Sequence, residues 1–288
     1  MKKSIMIRTT DDIFPDKLKE INNPPEQLYC RGNLDLLNEP SIAVVGSRKC
    51  TQYGVTVASA IGRRAAECGV TVVSGLAEGI DAAAHRGTLG AQGHTIAVFA
   101  NGTDICYPSV NMRLMKDILR SGGLVISEYP DGTRPRKYTF PERNRLISGL
   151  AHSVIIVEAA TDRSGSLITA EYAAEQGRML YAVPGNITAG SSFGSNKLIR
   201  DGVTPLMIID DIFEEMNIQP ASPREIIENM GEDEQAVYRA VCRSSELTTD
   251  EICRITCLPA SVVNGIITVL EMKGAVVSSM GKVFINNL

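Results

Sequence analysis

Residues 41–68, SIAVVGSRKCTQYGVTVASAIGRRAAEC, decide how the chain is read. Ser41 to Val45 is a short run rich in β-branched residues, Gly46-Ser47-Arg48 breaks it, and apolar residues recur at helical spacing from about Tyr53 to Cys68. A strand, a glycine turn and a helix in that order open a doubly wound α/β fold.

The same unit recurs along the chain. Val70 to Ser74 leads through Gly75 and Gly79 into a helix carrying Asp81 and His85, and His94 to Phe99 leads through Asn101-Gly102 toward Tyr107-Pro108. Leu124 to Ser127, Val154 to Glu158, Leu180 to Val183 and Pro205 to Ile209 continue the series. Strands alternating with helices at this spacing predict a mostly parallel, Rossmann-like sheet of about six or seven strands covered on both faces. Residues 1–40 carry little pattern and are assigned to packing on this domain, with Gln27 to Cys30 as an edge strand. The domain itself spans 41–218. A linker at 219–230, punctuated by Pro220 and Pro223, leads to 231–288, where three helical stretches and a small hairpin predict a winged helix. Thr248-Thr249-Asp250-Glu251 is a helix cap by sequence.

Composition narrows the function. The 288 residues are 44% hydrophobic, enough for one α/β core and a small second domain. No apolar run reaches the roughly 20 residues that span a bilayer, and Met1-Lys2-Lys3 is followed by charge rather than by an apolar segment, so neither membrane insertion nor export is expected. Seven cysteines without CxxC or histidine-paired spacing suggest a reducing, cytoplasmic setting and no metal site. Net charge is −4, but unevenly placed: −1 over residues 1–40, +3 over 41–210 and −6 over 211–288. Nucleic acid is therefore expected to meet the middle of the chain.

Within that middle lies Ser127 to Ser148, SEYPDGTRPRKYTFPERNRLIS, which sets Arg134, Arg136, Lys137, Arg143 and Arg145 around Phe140 and Asn144. It follows a buried-type strand, and ligands of open α/β sheets bind at the carboxyl ends of the strands. Phosphate is the natural partner of such a cluster. The turns Gly46 to Arg48, Ser74-Gly75, Asn101-Gly102 and Ser164 to Ser166 are expected to face the same crevice, where helix N-termini and backbone amides bind phosphate. Neither GxGxxG nor GxxxxGK[ST] is present, which argues against a dinucleotide dehydrogenase and a P-loop NTPase. Asp81 and His85 share a helical face, but Ser74-Gly75-Leu76 is not a GxSxG elbow, so the pair is read as structural.

The segments GSRKCTQYG, VVSGLAEGIDAAAHRGTL, TIAVFANGTDICYP, SEYPDGTRP, FPERNRLISGL, VIIVEAATDRSGSLITAEYAAEQGR, AVPGN and GSNKLIRDG closely resemble, in order, the motif series of the DNA-processing protein A (DprA/Smf) family. The resemblance covers about residues 25–210, and the C-terminal domain is similar to the winged-helix appendage of many members. About 40 residues stand where many relatives carry a longer helical N-terminal domain. The resemblance implies a cytoplasmic, non-enzymatic homodimer that binds single-stranded DNA and helps load the RecA recombinase onto it, notably in natural transformation, without a cofactor. It also implies that Arg48 and Lys137 hold phosphates and Phe140 faces a base. Arg143, Asn144 and Arg145, with Ser164, Gly165 and Ser166, would complete the pocket, and Ile199 and Leu206 would lie at a dimer edge near Asn196 to Leu206.

Single-strand binders combine a cationic groove with stacking faces worth roughly 1–3 kcal/mol per base. Only 5% of residues are aromatic and tryptophan is absent, so phosphate contacts are expected to dominate, with Phe140, Tyr138 and Tyr107 as candidate rings. The third helix of the tail offers only Lys273 among its cations, and protein contact or self-contact is expected of it rather than duplex DNA. Two other readings stay open. One is a phosphoribohydrolase-like enzyme in which Arg143 or Arg145 would work with Glu171; the other is a nucleotide sensor signalling through the tail.

Overall fold

The computed structural model describes residues 3–161, 164–218, 230–244, 246–273, 275–279 and 281–285. The chain divides into two compact units, Met1–Ile218 and Gln219–Leu288. Residues 219–229, most of the expected linker, lie outside the described residues.

The first unit is built on a nine-stranded sheet. Its parallel part comprises β3 (Ser41–Val45), β4 (Thr71–Ser74), β5 (Thr95–Phe99), β6 (Leu124–Ser127), β7 (Ser153–Ile156), β8 (Met179–Ala182) and β9 (Thr204–Pro205). With β1 (Ile5–Arg8) and β2 (Gln27–Gly32) the order is β1-β2-β6-β5-β4-β3-β7-β8-β9. The chain thus runs outward from β3 to β6, returns to lay β7 on the other side of β3, and continues outward to β9. That reversal between β3 and β7 is a topological switch point, where the loops diverge and open a crevice at the strand tips.

The sheet has two more strands than the upper count expected, because residues 1–40 join it. β2 pairs antiparallel with β6, Tyr29 opposite Ser127, and β1 pairs antiparallel with β2, Ile5 opposite Cys30. Gln27 to Cys30 is therefore interior, with β1 outside it. Leu28 and Cys30 point into the core while Gln27 and Tyr29 stay half-buried, a period-two pattern too short to stand out in the sequence.

The strands alternate cleanly across the sheet. Ala43 and Val45 enter one apolar cluster with Val73, Val154 and Ile156. Ile42 and Val44 enter the other with Val72, Ile155 and Val157. Each such side chain contributes about 1.5–3 kcal/mol on burial, and cover on both faces explains why the strands read as continuous apolar runs. Helices α1 (Asp16–Lys19) and α2 (Gln52–Glu67) are followed by α3 (Ile80–Gly90), α4 (Met112–Arg120) and α5 (Thr139–Leu150). The remaining ones are α6 (Gly165–Glu175), α7 (Phe193–Arg200) and the short α8 (Asp211–Glu214). The Thr51 hydroxyl caps α2 by accepting from the Gly54 amide.

In the second unit, α9 (Glu232–Ser244), α10 (Thr249–Thr256) and α11 (Ala260–Met272) pack with a three-stranded sheet ordered β10-β12-β11. Those strands are β10 (Glu246–Thr248), β11 (Val276–Ser279) and β12 (Lys282–Ile285). Val237, Ile252, Val263, Leu270 and Val283 form its core. The cap read at Thr248 is a full capping box: the Glu251 amide donates to the Thr248 hydroxyl, and the Glu251 carboxylate accepts from the Thr248 amide. Three helices with a small sheet in this order form a winged helix. Among the described residues no single helix is long and apolar enough to cross a membrane.

Helices α2 and α3 meet backbone to backbone. A Cβ on Gly87 would stand 2.1 Å from the Ser59 carbonyl oxygen. Alanine in a helix interior ordinarily gains about 1 kcal/mol over glycine, but here overpacking should reverse the sign. Gly87→Ala should destabilise the first unit by about 1–3 kcal/mol, measured as a lower urea midpoint; a raised midpoint would show that the helices part without cost.

Candidate nucleic-acid interface

The crevice at the switch point begins where β3 ends. The Ser47 amide donates to the Glu158 carbonyl just past β7 (2.8 Å), and the Ile80 amide donates to the Ser47 carbonyl (3.2 Å). Gly79 has φ +77, and a Cβ there would stand 2.3 Å from the Ser47 carbonyl oxygen, so only glycine lets α3 begin this close to the turn. Held from both sides, Gly46-Ser47-Arg48 presents the exposed Arg48 side chain outward.

The Arg48 guanidinium lies over the Phe140 ring, 5.4 Å from its centroid, in cation–π range. Phe140 in turn meets Tyr107 with centroids 5.6 Å apart and planes at 51°. Phe140 is in the first turn of α5, and one turn on, Asn144 donates from Nδ2 to the Gly165 carbonyl (3.1 Å), tying α5 to the start of α6. Ser166 is buried, and its hydroxyl has no partner among the described residues. Arg48, Phe140, Arg143, Asn144, Ser164, Gly165 and Ser166, seven of the residues expected at the site, line one cavity of about 250 Å³. A helix N-terminus, a free buried hydroxyl and a guanidinium around one space suit an anion.

Two predicted phosphate ligands turn inward. Arg143 is buried, and its guanidinium donates to the carbonyls of Gly75 (3.0 Å) and Val98 and to Asn144 Oδ1 (3.2 Å). Burial, with a smaller push from Arg48, lowers its pKa to about 10 against the pull of Asp81, so it stays charged at neutral pH. It supplies positive potential to the cavity while its donors bind carbonyls. Arg145 is buried on another side of α5, in a 2.6 Å ion pair with Glu128, and does not line the cavity. The expectation that Arg145 completes the pocket is therefore corrected: a helix turns about 200° over two residues, so Arg143 and Arg145 cannot share a face.

Lys137 is exposed on the loop before α5 and is not among the cavity-lining residues. The Ser74-Gly75 and Asn101-Gly102 turns do not line it either. The Ser74 hydroxyl donates to the Val44 carbonyl, and the buried Asn101 amide donates to the Ile105 carbonyl. Leu206, expected at a dimer edge, is 7% exposed and sits in the apolar core, whereas Ile199 is half-buried. Glu171 is exposed on α6, away from the cavity.

Sequence reasoning missed Asp81 as a wall of the cavity. Its carboxylate accepts from the Gly75 and Ala77 amides (3.1 and 3.3 Å); burial raises its pKa although Arg143 and these amides oppose the shift. The anchor of the basic loop was also missed. Asp131 accepts from Arg31 (3.0 Å), the Thr103 hydroxyl (2.9 Å) and the Ser4 amide (3.2 Å), fastening the loop to β2.

A family model described as DNA recombination-mediator protein A matches residues 5–217, and one described as DprA winged helix domain matches residues 211–282. The chain belongs to the DNA recombination-mediator protein A family. DNA processing protein DprA of Streptococcus pneumoniae is 45% identical over 71% of this chain and 72% of its own length, and that of Bacillus subtilis 41% over 73% and 71%. The crystal structure of the S. pneumoniae protein superposes with a TM-score of 0.70 at 44% identity, covering 74% of this chain and 75% of its own. A structure of the Helicobacter pylori DNA processing protein A, described for its single-stranded DNA binding mode, gives 0.67 at 29% identity, covering 74% and 95%.

His85 supplies a test of the site's frame. It is fully buried on α3 with Nδ1 2.6 Å from the Thr95 hydroxyl, which itself donates to the Val72 carbonyl. Burial, then Arg86 and Arg143, lower its pKa from 6.5 to about 3. The folded state holds it neutral while the unfolded chain protonates near 6.5, so its contribution is complete above that pH and is lost as pH falls toward 3. The slope is about 1.4 kcal/mol per pH unit. Urea unfolding at pH 7 and pH 5 should show a smaller acid loss for His85→Gln than for the parent chain, and equal losses would mean that the imidazole protonates in the fold.

Proposed function

We propose that the chain binds single-stranded DNA along the crevice at the switch point and serves as a mediator that loads RecA recombinase onto that strand. The observation that carries this reading is the Arg48 guanidinium stacked on Phe140 at a cavity that also takes in the start of α6. A phosphate meets Arg48, the Ser166 hydroxyl and the first amides of α6, and the adjoining base meets the Phe140 and Tyr107 rings. Stacking accepts any base, and phosphate contacts carry no sequence information, so binding is weakly sequence-dependent. Lys137 and the neighbouring Arg134 and Arg136, exposed on the loop, extend the positive field beyond the cavity. The H. pylori relative's described single-stranded DNA binding and the family's description as recombination mediators support the same assignment.

The protein acts as a cytoplasmic homodimer in this proposal. Leu206 is unavailable for the contact, but the exposed Phe193, Met207 and Ile208 flank the stretch Asn196 to Leu206 first assigned to it, and Ile199 within that stretch is half-buried. The winged helix contacts protein rather than duplex DNA. Lys273, beside its third helix, is tied to Glu234 at 2.5 Å. An enzymatic role finds less support: Glu171 stands outside the cavity and Arg143 spends its donors on carbonyls.

Fluorescent oligo-dT should bind with an affinity that falls steeply with salt, the log–log slope being about −0.7 per phosphate contacted. Arg48→Glu should weaken binding about tenfold or more and flatten that slope, and Lys137→Glu should do so less. Arg145→Met should lower stability while leaving the slope unchanged. A salt-independent affinity, or Arg48→Glu binding like the parent, would reject the groove.

A further inference from the structure

Helix α11, the third helix of the winged helix, buries Val263, Ile266, Ile267 and Leu270 in the core of its own unit. Its opposite face is apolar as well. Val262, Val269 and Met272 are 39, 38 and 84% exposed. The exposed Gly265 completes the row, at spacings of three, four and three residues. That spacing is the seam of a helix pair. Glycine is the poorest helix former after proline, and a Cβ on Gly265 would meet nothing within 4 Å among the described residues. Packing inside the unit therefore does not require glycine there, whereas a side chain arriving from outside does. Duplex DNA is a poor match, because the row holds no side-chain donor for phosphates or base edges. Glu271, the only charged residue from Ala260 to Met272, accepts from the Ser278 amide (2.8 Å) and so turns toward β11.

We infer that this face docks on the same face of a second copy of the chain, as an antiparallel helix pair. About the level of Ile267 the row is complementary to itself: Val262 meets the partner's Met272, and Gly265 receives the partner's Val269. A small residue opposite a larger one fills the seam without a void. A parallel pair would set glycine on glycine, leaving a hole, and would bring the two Glu271 carboxylates to one level, where like charges repel. The row is uncharged within a segment of net charge −6, so two copies meet here without burying a charge. From Val262 to Met272 the helix runs about 15 Å, and a seam of that length covers well under the roughly 1,200 Å² of a stable interface. The pairing therefore belongs within the homodimer proposed above, where chains already joined meet at a raised local concentration. It rests on the reading that the winged helix contacts protein, and it names that protein as a second copy.

Disulfide mapping on the full chain, with the exposed Cys242 and Cys257 replaced by serine, tests the register. Under mild oxidation the double variant Val262→Cys with Met272→Cys should link two chains about fivefold faster than either substitution alone, because only then does each thiol face another. Adding Val269→Glu or Gly265→Lys puts a charge in the seam at an exposed position, so each should keep the helical circular dichroism and cut the cross-linking about fivefold. Oligo-dT affinity should stay within about twofold in all of these variants, since the groove lies in the other unit. Faster linking by Met272→Cys alone, or linking that survives both added charges, overturns the pairing. Sedimentation of the parent chain separates the remaining failures. A dimer without the cross-link overturns the helix pair alone, and a monomer without it overturns the homodimer as well. Duplex DNA binding that weakens in Val269→Glu overturns instead the reading of the winged helix as a protein contact.

Discussion

Glu158 holds the two sides of the switch point together. β3 and β7 are neighbours in the sheet, but the chain leaves them for opposite halves of the domain, so their following loops tend to diverge. The Glu158 carbonyl takes the Ser47 amide, and its carboxylate takes the Thr51 amide and hydroxyl. These bonds close both ends of the 46–51 loop onto the residue that follows β7. A buried carboxylate without donors would cost several kcal/mol, so Thr51 satisfies the group that the loop depends on. The position of Arg48, and hence its stacking on Phe140, follows from this fastening.

Helix α5 shows what charge alone does not decide. Its residues from Arg143 to Leu150 are all buried, arginines included. A guanidinium has five donors and a long apolar stem, which lets it bridge carbonyls across the carboxyl edge of a sheet. Arg143 does this between the Gly75 and Val98 carbonyls, holding the ends of β4 and β5 in place. Arg145 instead neutralises Glu128 at the end of β6. The exposed positive charge therefore rests on Arg48 and the loop cations, and in the proposed groove Arg143 would act on a phosphate through its field rather than by contact.

The parallel core and the Gly-Ser-Arg turn were legible in the sequence because both follow from local pattern: β-branched runs of four or five residues, each closed by a glycine or polar turn. Phe140, Asn144 and the Ser164 to Ser166 turn were placed for the same reason, each lying at the start of a helix or in its first turns. What could not be read depends on residues far apart in the chain. β1 and β2 are short and half-polar, and their place in the sheet is set by pairing with β6 about 100 residues away. The Arg31 to Asp131 bond spans the same distance, so the base of the basic loop is fixed by the segment that seemed to carry no pattern. Leu206 was assigned to a dimer edge through the family resemblance, which does not say whether an apolar residue near a sheet edge faces inward or out in this chain. In the fold it faces inward, while Met207 and Ile208 face solvent.

The cavity at the switch point sets a buried carboxylate beside two guanidinium groups. Asp81 shares its wall with Arg48 and Arg143, and its carboxylate is held by the Gly75 and Ala77 amides with Arg143 opposing the effect of burial. At about 6 Å, two unit charges at an effective dielectric of 20 interact by close to 3 kcal/mol, so the sign of the potential in this space depends on which side chains reach it. Glu158 is not among them: its carbonyl takes the Ser47 amide and its carboxylate takes the Thr51 amide and hydroxyl. A single residue after β7 can thus brace the Gly46 to Arg48 turn from both ends, because its backbone and side chain serve opposite ends of one loop.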